Sequence, residues 1–230
     1  MMRTERLGTD TQIKENDMRH DKATMNYQRK ALAVIGILLP ILAPLMGFIA
    51  YDKNGPEFWY SISATFYATS NILMIGTLAI FAYFLYTYKG YDIGDNATCT
   101  FSATMAVLIL VFPCQTMASG DTTGLLNLPT GISHIMHCIA AMCLFGSFAY
   151  MIGFRFTKTD CITRNREKVV RDWIYTLCSD IIITFMVIQV LTSVAGIGWM
   201  TIVNEAIMLW AFSFAWAVKA DCFKRFIDKN

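Results

Sequence analysis

Four ionisable side chains sit where the surrounding sequence is otherwise apolar: His134, His137, Asp180 and Glu205. An ionisable group inside hydrocarbon is costly, so each is a candidate for ligand binding, ion passage or catalysis. His134 and His137 are three residues apart and share a helix face. Glu205 follows Asn204, Asn71 follows Ser70, and Ser61 and Ser63 lie just before another apolar stretch. If these segments meet, Ser61, Ser63, Asn71, His134, His137, Asn204 and Glu205 line one polar, outward-facing cavity. Two imidazoles and a carboxylate (His134, His137 and Glu205) are also a workable ligand set for zinc or another divalent metal. The loop acids Asp52 and Glu57 could add to it. The plainer reading is a wet interfacial patch, with polar side chains acting as glue between helices.

Asp180 is expected elsewhere. It lies seven residues into its apolar stretch, about 10 Å deep, on the opposite side from the histidines. A proton or ion pathway would use such a carboxylate. A structural hydrogen bond to Thr100, Ser102, Ser147 or Ser213 would explain it equally well.

The elements that must position these residues are long apolar blocks. Of 230 residues, 55% are hydrophobic and 16% charged, against about 25% charged in a soluble domain. A bilayer core needs about 20 apolar residues per helix. Six blocks meet that length: 31–51, 67–88, 97–119, 132–154, 173–194 and 199–218. The expected fold class is all-α, a polytopic six-helix transmembrane bundle. Pro40 and Pro113 are expected to kink their helices, and Gly196 and Gly198 to make a tight turn. Residues 1–30 are polar from the start, unlike a signal peptide. They read as a partly disordered cytoplasmic tail, and residues 219–230 as a second one.

Basic residues set the orientation. With both termini inside, the inner side collects eighteen Lys and Arg and the outer side only Lys53. Tyr51, Trp59, Tyr60, Tyr88, Trp173 and Trp199 then fall at block ends, as interfacial belts require. The expected location is the inner (cytoplasmic) membrane of a bacterial cell. The expected partners are the lipid bilayer and further copies of the chain, with no nucleic acid.

Several activities fail on inventory. The seven cysteines form no C-x-x-C pair and most lie in apolar blocks, which argues against a disulfide framework and a thiol redox enzyme. There is no G-x-S-x-G elbow and no phosphate loop. No lysine lies mid-helix to hold retinal, and the basic residues follow orientation rather than a nucleic-acid stripe.

The stretch Tyr60-Ser61-Ile62-Ser63, Phe66-Tyr67, Gly76 through Tyr83-Phe84-Leu85 and Tyr88-Lys89-Gly90-Tyr91 resembles a group of uncharacterised bacterial multi-pass proteins. These are similar to the DUF998 and Frag1/DRAM/Sfk1-like families. Phe112-Pro113, His137, Glu205, Ser213-Phe214-Ala215-Trp216 and Lys219 fit the same group. The resemblance implies a six-helix bundle with eukaryotic relatives linked to lipid handling and membrane homeostasis. A looser likeness is to seven-helix ceramidase and adiponectin-receptor-type zinc hydrolases. This chain has two intramembrane histidines rather than three and lacks H-x-x-x-H spacing. The leading expectation is a non-enzymatic protein that binds or passes a small ligand, lipid or ion. The alternatives are a metal-dependent lipid hydrolase and an oligomeric channel packed through Gly76, Ala79, Ala140, Ala141 and Gly146.

Overall fold

The computed structural model describes residues 2–49, 61–68, 71–90, 92–116, 119–158 and 166–223, with side chains from residue 21 onward and not over 46–49. Six α-helices dominate: α1 (Met2–Ile49), α2 (Asn71–Thr87), α3 (Ile93–Val111), α4 (Thr130–Tyr150), α5 (Arg166–Val194) and α6 (Met200–Lys219). A two-stranded hairpin, β1 (Thr122–Thr123) with β2 (Leu128–Pro129), lies between α3 and α4. Each helix packs against its sequence neighbour, and α6 closes back onto α1. Two short links, 88–92 and 195–199, force α2 onto α3 and α5 onto α6. The α5–α6 turn is made by Gly196, whose φ of +71° suits a residue with no Cβ.

Five helical segments are long and apolar enough to cross a membrane: 21–45 within α1, α3, 130–155, α5 and α6. The remaining helix, α2, is apolar and has 17 residues. At 1.5 Å per residue it is about 26 Å long. A 3-10 turn, Ser63–Tyr67, precedes it.

Three features differ most from the sequence reading. First, α1 begins at Met2, so the segment expected to be a partly disordered tail is helical. Residues 2–30 hold no proline and only Gly8 as a strong helix breaker. Second, α3 is displaced toward the N-terminus. It starts at Ile93 because Asp92 caps it, accepting from Asp95 N–H at 2.9 Å. It ends at Val111 because the residue before a proline avoids helical geometry; Phe112 has φ −114° and ψ 87°. Pro113 therefore terminates the helix rather than kinking it, whereas α1 runs on through Pro40 and Pro44. Third, Tyr88 is buried, not part of an interfacial belt. Its ring meets Trp216 edge-on at 5.0 Å and its hydroxyl accepts from Arg29 Nε at 3.2 Å. Trp173 and Trp199 are exposed. Tyr51, Trp59, Tyr60, Lys53, Asp52 and Glu57 lie outside the described residues.

The two ends of the bundle have opposite character. At one end, Arg155 pairs with Asp92 and Asp95, Lys168 with Asp172, and Arg171 with Asp221. Every ion pair among the described residues is at this charged end. Above it, aromatic rings fill the core. Phe148 and Phe212 have centroids 4.0 Å apart, Phe212 leads to Trp216, Trp216 to Phe156, and Phe156 to Tyr175. Midway, the buried Ser102 and Ser147 hydroxyls bond at 2.7 Å, closing α3 onto α4. At Gly36 a Cβ would collide with Ser213 Oγ, which is why α1 and α6 approach so closely there.

Candidate functional site at the far end of the bundle

The end opposite the charged cluster is built around a break in helix. After Val111, residues 112–116 are not helical, so their backbone groups need partners from elsewhere. Non-helical backbone at membrane depth is tolerated where it is buried in protein or lines a cavity. The first turns of α4 supply those partners. Ser133 Oγ donates to Pro113 O at 2.9 Å. His137 Nδ1 donates to Phe112 O at 2.8 Å, and His134 Nδ1 accepts from Gln115 N–H at 3.1 Å. Tyr67 Oη, from the 3-10 turn, donates to Cys114 O at 2.8 Å. The three-residue spacing of the histidines thus clamps the broken end of α3 onto α4.

These bonds assign the imidazole tautomers. A carbonyl can only accept, so His137 carries its proton on Nδ1 and keeps Nε2 as an acceptor. Gln115 N–H can only donate, so His134 carries its proton on Nε2, 3.7 Å from Cys138 Sγ. The pair offers one acceptor and one donor.

Glu205, in the second turn of α6, holds the other side of the site. Its carboxylate accepts from Ser61 Oγ at 3.1 and 3.2 Å and from Ile62 N–H at 2.6 Å. Ser63 N–H in turn donates to Ser61 Oγ at 3.0 Å. A carboxylate at the start of a short helical turn meets backbone N–H groups that would otherwise lack partners. Glu205 is therefore the anchor that fixes the 3-10 turn to α6.

Between these clamps lies a cavity of about 370 Å³. His134, His137, Ser61, Glu205 and Gln115 line it on one side, and Gln189, Ser193 and Thr201 on the other. The rest of its wall is apolar and includes Ala141, Met142, Phe145, Val190 and Met208. Glu205, Ala141 and Phe145 also border a smaller void of about 60 Å³ deeper in the bundle, which Ser63 lines.

Four of the seven residues singled out from the sequence therefore share this cavity: Ser61, His134, His137 and Glu205. Ser63 borders the deeper void. Asn204 is fully buried and turns toward α5, where Nδ2 donates to Gln189 Oε1 at 2.9 Å and to Thr192 Oγ1 at 3.3 Å. Asn71 is exposed at the start of α2, away from the cavity. Asp180 is exposed on α5. The hydroxyls expected to partner it are engaged otherwise: Ser102 with Ser147, and Ser213 with Leu209 O. Among the described residues, no three His, Cys, Asp or Glu side chains are gathered as a metal ion requires. His134, His137 and Glu205 each spend ligand atoms on backbone groups instead.

Gln189, Ser193 and Thr201 were not singled out from the sequence. Gln189 Nε2 donates to both hydroxyls at 3.1 Å, linking α5 to α6 beside the cavity. The signal was an amide in the middle of an apolar stretch, which a search for ionisable groups passes over.

The chain matches no protein-family model, and neither a curated protein nor a solved structure is found to be similar to it.

Proposed function

We propose that this chain is an integral membrane protein that crosses the bilayer six times with both termini in the cytoplasm. We further propose that the far-end cavity opens on the outer side and binds a small amphipathic ligand. The orientation follows from the eighteen-to-one partition of Lys and Arg, and the charged end is then the cytoplasmic one. One observation carries the ligand reading. Polar side chains from α4, α5, α6, the unwound segment and Ser61, just before the 3-10 turn, converge on a single cavity whose remaining wall is apolar.

A binding pocket fits this arrangement better than a pore through one chain. Below the cavity, Phe81, Phe148, Phe212 and Trp216 pack ring against ring and fill the core. A cavity closed at its base holds a ligand rather than conducting one. The hydrolase reading has no observation in its favour.

Filling the cavity tests the proposal. Ala141 lines it and is only partly buried. Wild-type protein released from membranes in mild detergent is expected to carry a bound amphiphile in its native mass spectrum, and Ala141→Trp to lose it. Bare wild-type protein, or identical adducts on both proteins, would contradict the proposal.

A further inference from the structure

The cavity continues sideways. Met142 and Val190 belong to its wall and also to the wall of an apolar groove of about 470 Å³ between α4 and α5. Along α4 and the π-helical turn that follows it (Met151–Arg155), the groove runs from Met142 to Phe154, about 18 Å. Along α5 it runs from Leu191 to Ile183, past Val187. Gly146 lies in the groove's wall. A Cβ there would meet only Met186 Cε, at 3.7 Å. Val187 and Leu191 on its rim are exposed, so the groove is open along its side.

The two spaces together have the polarity of a lipid. One end offers hydroxyl, amide and imidazole groups, and the other is apolar throughout its length apart from the Tyr150 phenol. No Lys or Arg lines either space. An anionic headgroup would find no cation there. Glu205, the one carboxylate, already accepts from the Ser61 hydroxyl and the Ile62 N–H, just before the 3-10 turn. What remains is hydrogen-bonding capacity without fixed charge, which suits an uncharged head carrying hydroxyls.

We propose that cavity and groove form one site for a lipid with a small, uncharged, hydroxylated head, the head seated among His134, His137 and Gln189 and one acyl chain lying along α4 and α5. A monoacylglycerol is the simplest such molecule. This inference rests on the reading of the cavity as a ligand site and adds the class of ligand and its lateral route of entry.

Cys138, an exposed thiol on the cavity wall, reports occupancy. A variant retaining Cys138 as its only cysteine is reconstituted in phosphatidylcholine bilayers and labelled with a water-soluble maleimide. Adding 1-oleoylglycerol is expected to slow labelling about tenfold once it fills about nine sites in ten. An equal fraction of phosphatidylglycerol is expected to change nothing. Gly146→Phe and Val187→Trp fill the groove from opposite walls. Each is expected to abolish the protection by 1-oleoylglycerol. Labelling without protection, equal protection by phosphatidylglycerol, or protection that survives both groove variants would overturn the lipid assignment alone. No labelling under any condition would overturn the cavity reading beneath it. The comparison of the two lipids stands without the groove variants, should either fail to fold.

Discussion

Arg155→Ala is expected to lower the unfolding free energy by about 3 kcal/mol, the low end of what breaking a buried ion pair costs. The Arg155 side chain is 8% exposed and pairs with Asp92 and, through Nε at 2.7 Å, with Asp95, itself 14% exposed. Removing the guanidinium takes from the largely buried Asp95 carboxylate its 2.7 Å ion pair, and that loss dominates. Asp92 is 49% exposed, so its share is screened by water. The pair matters because it joins the turn that follows α4 to the start of α3. Lys158 offers an internal control: it reaches Asp92 at 3.3 Å and is 55% exposed. Lys158→Ala is expected to cost less than about 1 kcal/mol. Arg155→Lys keeps the charge but not the planar fork, and should fall between. Reversible unfolding of the protein in mixed micelles measures all three. Equal stabilities for Arg155→Ala and Lys158→Ala would contradict the assignment.

Glu205→Ala is expected to cost about 2 kcal/mol, the scale of hydrogen bonds to a charged acceptor. Ser61 and Ile62 are 6% and 5% exposed. Their hydroxyl and N–H groups lose their acceptor in a place water reaches poorly. Glu205→Gln keeps one acceptor oxygen and should lose about half as much. The same unfolding measurement, read beside protease sensitivity near residue 61, separates anchoring from ligand contact. An anchor predicts that the 3-10 turn loosens in Glu205→Ala. Unchanged stability with unchanged protease sensitivity would show that the carboxylate anchors nothing.

The helices were legible in the sequence because hydrocarbon thickness imposes a length on them. Their ends were less so, because ends are decided by single residues. Asp92 moves the start of α3 earlier by capping it, and Pro113 moves its end earlier by excluding helical geometry from Phe112. A window of apolar residues registers neither effect. The site was legible as far as depth could be read. His134, His137, Ser61 and Glu205 lie in one layer and meet there. Asn71 and Asn204 lie in the same layer but point away, because depth along a helix says nothing of rotation about its axis. The roles were harder still. Each histidine spends one nitrogen on the backbone of residues 112–116, a need that exists only because α3 stops early. That need could not be read from spacing alone.

In the proposed topology the cavity and the charged end face opposite sides of a bilayer. Cys138 and Cys222 are both exposed, one at each end. A variant keeping only these two thiols can be sealed into phosphatidylcholine vesicles and treated with an impermeant maleimide. Whichever way each molecule inserts, one thiol faces the reagent and the other does not. The expected mass shift is one label per chain in sealed vesicles and two after permeabilisation. Two labels per chain before permeabilisation, or none, would contradict the topology and the outward-opening cavity together.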